Sequence, residues 1–160
     1  MLVAECPPAT LYRWVHDLAD YPVWLDLVHR AAPDQTAADS APAWMVELRA
    51  RVGPFARSKR LRMVRTDGVD GKLVRFERRE LDGHTHSSWV LQAELTAVTT
   101  LAATATETAT ATTASTTLTM SLHYGGGLWT GAVLERVLHE QINRGHDSLK
   151  ALVEQPTSTA

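Results

Sequence analysis

From residue 43 onward, apolar residues recur at every second position. Trp44, Val46, Leu48, Ala50 and Val52 share one parity, and Met45, Glu47, Arg49 and Arg51 share the other. That is the period of a strand with one dry and one wet face. Gly53-Pro54 interrupts it, and Leu61 and Met63 then alternate with Arg60 and Arg62 up to Asp67-Gly68 and Asp70-Gly71, where a turn is expected. Val74 and Phe76 continue the pattern against Arg75, Glu77 and Arg79, and Asp82-Gly83 turns the chain again. Trp89, Leu91, Ala93 and Leu95 form a further strand, and Leu118, Met120, Leu122 and Tyr124 the last. Short strands joined by glycine-containing turns predict an antiparallel meander, dry on one face and solvated on the other.

The flanks of this meander have the helical period. Residues 7–18 open Pro7-Pro8-Ala9-Thr10 and continue with Leu11, Val15 and Leu18, a short helix with proline in its first turn. Trp24, Leu25 and Val28 suggest a second short helix. A long amphipathic helix is predicted over 128–154. Leu134, Leu138, Ile142, Leu149, Leu152 and Val153 fall on one side, and Arg136, Glu140, Asn143, Arg144, Asp147 and Glu154 on the other. Gly131 and Gly145 lie within its apolar stripe. Each either lets the helix pack closely on the sheet or leaves room for a ligand, since glycine inside a helix is unfavourable by about 1 kcal/mol relative to alanine. The fold class expected is therefore α+β: a curved antiparallel sheet around a long C-terminal helix, with two short helices after the first strand.

One stretch departs from the alternation of large apolar and polar residues. Residues 96–117 hold 11 threonines and 7 alanines, with Glu107 as the sole charge. Threonine favours strands, so this insertion reads as a lengthened hairpin turning near Glu107 or as a surface loop, and in either case as an expansion without function.

Composition narrows the classes. At 160 residues the chain is expected to be one domain, 1–160, able to bury a core without crosslinks. The single cysteine, Cys6, has no internal partner, which fits a reducing compartment. No signal-like start and no apolar run of membrane-spanning length are present, so a cytoplasmic protein without a membrane span is expected. The net charge of −2 hides a basic centre, for residues 49–79 carry 11 of the 16 lysines and arginines against Asp67, Asp70 and Glu77. Those arginines alternate with apolar residues, as on the wet face of a sheet, so no nucleic-acid partner is expected.

Pro8-Ala9-Thr10-Leu11-Tyr12-Arg13-Trp14-Val15 and Asp17-Leu18-Ala19-Asp20-Tyr21-Pro22-Val23-Trp24-Leu25, followed by Trp89-Val90-Leu91 and Leu118 to Tyr124, carry a further signal. In layout, and in the loose Asp-x-x-x-Tyr-Pro-x-Trp signature, the chain resembles the START-like, or SRPBCC, superfamily, which includes polyketide cyclases and coenzyme Q-binding proteins. The resemblance implies a helix-grip fold, in which the sheet curls around the last helix and the two small helices close one end of a cavity. Two departures stand out: the first strand is short, or the true start lies upstream of Met1, and the Ala/Thr segment is longer than a hairpin needs.

Catalytic and metal signatures are missing. There is no Gly-x-Ser-x-Gly elbow, phosphate loop or paired-cysteine spacing. His139-Glu140-Gln141-Ile142-Asn143 lacks the second histidine of a zinc-protease helix, and His84-Thr85-His86 lacks a third ligand. His139 and His146 are expected to be solvated at the helix boundary, and Gly125-Gly126-Gly127 to be a strand-to-helix joint. No metal and no cofactor are expected. Strand parity and helical phase instead nominate a ligand site at Trp44, Leu48, Leu61, Met63, Phe76, Trp89, Met120, Leu138, Ile142 and Gly145, with Arg78 and Tyr124 as polar members. The leading expectation is binding or transport of a small hydrophobic molecule, such as a lipid, polyketide or quinone, by a monomer or homodimer. The alternatives are an aromatase/cyclase-type enzyme, in which an arginine, tyrosine or histidine moves a proton, and an interaction module without a ligand.

Overall fold

The computed structural model describes residues 1–35, 40–52, 55–101, 112–125 and 132–154, with side chains described for these residues other than 50–52, 55–57, 99–101, 112–114 and 132–138. The order is β1 (Leu2–Ala4), α1 (Pro8–Val15), a 3-10 helix (Leu18–Val23), β2 (Val28–Pro33), β3 (Ala43–Val52), β4 (Phe55–Val69), β5 (Leu73–Arg78), β6 (Trp89–Leu101), β7 (Thr112–Tyr124) and α2 (Ala132–Glu154). The strands form one sheet ordered β1-β7-β6-β5-β4-β3-β2, and every neighbouring pair is antiparallel.

The contacts of α2 require that sheet to curl. The helix touches both β1 and β3, which stand first and sixth in the strand order. Laid flat, they would be about 24 Å apart at the usual strand spacing, twice the diameter of a helix with its side chains. The sheet therefore wraps α2, and their facing surfaces form the core. Leu11, Val15, Val74, Phe76, Ala93, Leu118 and Leu149 are fully enclosed.

The helical phase of α2 follows the periodicity. Leu149 is buried with Leu152 and Val153 packed against the core, while Glu140, Asn143, Arg144, Asp147 and Glu154 are exposed. The positions of Gly131 and the side chains of Leu134, Arg136 and Leu138 lie outside the described residues.

Several expectations change. The second helical element is the 3-10 helix, capped by Asp17, whose side chain accepts from the Ala19 amide at 2.8 Å. It ends before Trp24, and Val28, read as its last apolar position, instead begins β2. β4 runs straight through Asp67-Gly68, so the turn uses Asp70-Gly71 alone, with Gly71 at φ 67. A side chain is strained in that left-handed region. The outer face of the sheet is not wholly wet either. Val64 is buried there, and Arg62, 2 % exposed, is held by Asp34 at 2.5 Å and by the Arg79 carbonyl at 3.0 Å.

The Ala/Thr-rich stretch is ladder wherever it is described. Pairing runs without a shift from Trp89↔Tyr124 to Leu101↔Thr112. The expected turn at Glu107 lies outside the described residues, as does the Gly53-Pro54 break.

Candidate functional site

Alternation aims the side chains of β3, β4, β6 and β7 at α2, and the cavity between them is walled on that pattern. Val46 and Leu48 come from β3, and Leu61 and Met63 from β4. Trp89 and Leu91 follow from β6, Met120 and Leu122 from β7, and Ile142 from α2. Leu18, Leu25, Leu27 and Val28 close the remaining side from the 3-10 helix and the segment after it. Every described wall residue is apolar. The space is small, about 50 Å³, and only partly closed off. An apolar cavity needs about 150 Å³ to take up benzene, so a ligand of that size or larger must push the walls apart. The long, flexible side chains of Met63 and Met120 suit such adjustment.

Leu48, Leu61, Met63, Trp89, Met120 and Ile142 thus meet around one space. Trp44 and Phe76 do not reach it: their rings lie 5.5 Å apart, edge to face, in a solid aromatic cluster with Tyr21 and Trp24. Tyr21 is anchored by its hydroxyl, which donates to the Val15 carbonyl at 3.0 Å, and burial pushes its pKa far up. The side chain of Leu138 lies outside the described residues.

Two nominated residues have other occupations. A Cβ at Gly145 would stand 2.8 Å from Leu25 Cδ1 and 3.3 Å from the Trp24 carbonyl oxygen. This glycine lets α2 pack on the segment after the 3-10 helix, and it leaves no space for a ligand. Arg78 shares the parity of Phe76, but its Nε donates to Glu80 Oε1 at 2.6 Å and its guanidinium reaches the Ser87 carbonyl at 3.4 Å. Its charge is committed to holding the chain beyond β5.

Tyr124 sits beside the cavity. Its ring centroid is 4.8 Å from that of Trp89, and the Lys59 ammonium lies 5.2 Å from the Trp89 centroid and 5.4 Å from that of Tyr124. The parity of Lys59, two residues before Leu61, could have flagged it. The wall residues Leu18, Leu25, Leu27 and Val28 are not among those nominated: three of them carry a helical spacing that does not point to the cavity, and they are buried by where the segment lies.

The histidines divide. His139 is exposed, whereas His146 is 5 % exposed and its buried Nε2 has no hydrogen-bond partner among the described residues. Burial, aided by the Met1 amine, holds its pKa below the ordinary value. His86 is tied to the Asp82 carboxylate at 2.8 Å. Among the described residues, no group of three or more His, Cys, Asp or Glu side chains could hold a metal. The strand-to-helix joint is partly seen: Gly125 donates to the Ser88 carbonyl at 2.9 Å and lies so close to the Ser88 hydroxyl that a Cβ would collide with it, while Gly126 and Gly127 lie outside the described residues.

A larger depression, about 530 Å³, opens beside α1 between Tyr12, His16, Arg65, Thr66, Asp67 and Asp70. It is polar, wide open to solvent and lined by charges of both signs, so nothing in it selects one ligand. The apolar space is the stronger candidate.

No protein-family model matches the chain, and no curated protein matches it in sequence. Solved structures do: 27 chains match. Protein CV1439 from Chromobacterium violaceum is 16% identical with a TM-score of 0.55, and the alignment covers 96% of this chain and 94% of that one. The di-domain ARO/CYC StfQ from the steffimycin biosynthetic pathway is 12% identical with a TM-score of 0.57, over 97% of this chain. This chain spans 49% of StfQ, about half its length. At these identities the likeness is one of fold. No helix among the described residues is long and apolar enough to cross a membrane.

Proposed function

We propose that this chain binds a small apolar molecule between the concave face of the sheet and α2. The observation that carries the reading is the wall itself: five strands, α2, the 3-10 helix and the segment after it converge on one space lined by apolar residues as far as they are described. Filling that space would be the ordinary economy of a core. Leaving it open forfeits packing energy, about 24 cal/mol per Å³ of void, or about 1 kcal/mol here. A ligand restores those contacts.

The ARO/CYC neighbour supports the same kind of site and raises an enzymatic reading, in which a polyketide is folded within the cavity. With no acid or base among the described wall residues, binding without reaction is the better reading. The small volume favours one rival, a ligand-free interaction module using the basic outer face of the sheet.

Uptake of N-phenyl-1-naphthylamine, a neutral apolar fluorophore, tests the proposal. The expected result is saturable binding near one per chain, weakened at least tenfold by Met120→Trp, which fills the cavity with an indole. Absent uptake by the native chain, or uptake untouched in a folded Met120→Trp variant, would sink it. Native mass spectrometry of gently purified protein would identify a resident ligand by its mass.

A further inference from the structure

One end of the cavity differs from the rest. Trp89 forms part of the wall there, 7 % exposed. Its indole N–H is sealed from solvent and donates to no acceptor among the described residues. A buried donor left in this state is unfavourable, and such orphans are rare in native proteins. Tyr124 is paired directly opposite Trp89 in the β6–β7 ladder, on the same face of the sheet.

Lys59 reaches the same corner from β4. It pairs with Leu48 and shares the parity of Leu61, both of them wall residues, so its stem runs along the concave face. Its ammonium rests against the faces of Trp89 and Tyr124. No described carboxylate lies within 4.0 Å of it. Three arginines elsewhere on the sheet, Arg62, Arg75 and Arg78, each hold a carboxylate. Ring faces attract a cation but supply no lone pair to its three N–H groups.

A half-buried cation without a described counter-ion and a wall residue with a stranded donor thus stand together beside the cavity. A carboxylate answers both, since one oxygen can accept from the ammonium and the other from the indole N–H, in charge-assisted hydrogen bonds that strengthen away from bulk water. We infer that the ligand is an apolar acid, a chain or ring system ending in a carboxylate that sits at Lys59 and Trp89 while the apolar body occupies the space beneath Leu61, Met63 and Met120. This rests on the cavity reading above and names the chemical class of its ligand. A hydrocarbon of the same body would leave the ammonium unanswered, and an alcohol would accept a hydrogen bond without neutralising its charge.

Displacement of bound N-phenyl-1-naphthylamine by decanoate and by decanol, matched in chain length, tests it on the full chain. Decanoate is expected to displace the probe at a concentration at least tenfold lower than decanol. Lys59→Met, which keeps the apolar stem, should abolish that preference in a variant that still unfolds cooperatively and still takes up the probe, and Lys59→Arg should retain most of it. Trp89→Phe should narrow the preference for decanoate over decanol about three- to tenfold, with thermal unfolding showing that the variant is folded. Equal displacement by the two compounds, or a preference that survives Lys59→Met, overturns the carboxylate assignment and leaves the cavity standing. Failure of the native chain to bind the probe overturns both.

Discussion

Replacing Gly145 by alanine sets two effects of known sign against each other. Gly145 lies fourteenth of 23 residues in α2, well inside the helix, where alanine is favoured over glycine by about 1 kcal/mol. Against this, the new Cβ would lie 2.8 Å from Leu25 Cδ1 and 3.3 Å from the Trp24 carbonyl oxygen. The leucine methyl can rotate away at some expense. The carbonyl belongs to the backbone, where Leu25 N and Val28 N are already engaged in turn hydrogen bonds, and cannot. Overpacking of this kind costs about 1–3 kcal/mol, so the clash wins and the net loss is about 1 kcal/mol. For a chain of 160 residues that lowers the melting temperature by about 2–4 °C. Asn143→Ala, at an exposed position two residues earlier, receives the propensity gain without a clash and should melt slightly higher. Leu25→Ala supplies the coupling measurement: in that background Gly145→Ala should be less harmful, because the first contact is gone. Calorimetry of the four variants settles the matter. If Gly145→Ala melts higher than the native chain, the close approach of α2 to Trp24 is not there.

Leu149→Asp should prevent folding while Asn143→Asp leaves circular dichroism and melting nearly unchanged, because the first buries an unpaired charge worth several kcal/mol and the second faces water. Thr116, fully buried, donates its hydroxyl to the Cys6 carbonyl at 2.6 Å. Thr116→Val should therefore cost about 1–3 kcal/mol in urea unfolding, and an unchanged midpoint would show that the carbonyl finds another donor. His146 is a base whose folded pKa is depressed below its ordinary 6.5 by burial first and the Met1 amine second. The unfolded chain takes up its proton first as pH falls. The His146 contribution is therefore complete above pH 6.5 and is lost as pH drops towards the folded pKa. Between about pH 7.5 and 5.5 the native chain should lose more stability than His146→Leu, and parallel losses would refute the burial argument.

The strands that proved legible are those with two unlike faces. In β3, β5, β6 and β7 the alternation of large apolar with polar residues reports the dry side directly, because side chains of a strand point alternately to either face. β2 has no such alternation. Its residues Val28-His29-Arg30-Ala31-Ala32-Pro33 lie at the sheet's edge, with one buried position and a register shift between Val28 and Arg30. Trp24, Leu25 and Val28 matched a helical spacing for a different reason: the segment lies across the end of the cavity, so several successive residues are buried whatever its backbone does. Parity likewise brought five nominated residues around the cavity, and helical phase a sixth, Ile142, yet parity could not separate Trp44 and Phe76, which share that face but pack ring against ring. Nor does a sequence encode volume, or tell that Arg78 turns to Glu80 and that His146 is covered. Those depend on pieces of chain brought together only by the completed fold.

The edge strand β1 holds a further consequence, in the order of folding. Leu2 pairs with Leu118, and Cys6 is joined to Thr116 across 110 residues. The Glu5 amide, likewise, meets the Glu154 carboxylate across 149. Contacts between residues so far apart along the chain bear a large closure entropy and are made after local hairpins such as β6–β7 have formed. On a ribosome, the start of this chain must wait until residue 118 has emerged before its strand has a partner, and until α2 has emerged before its far side is covered. At synthesis rates of about 5–20 residues per second, that is a wait of many seconds. During it Leu2, Ala4 and Cys6, all buried at the end, remain in water. This early segment is thus among the last to fold, and the exposed edge of β7 that it covers is where a second nascent chain would compete for pairing.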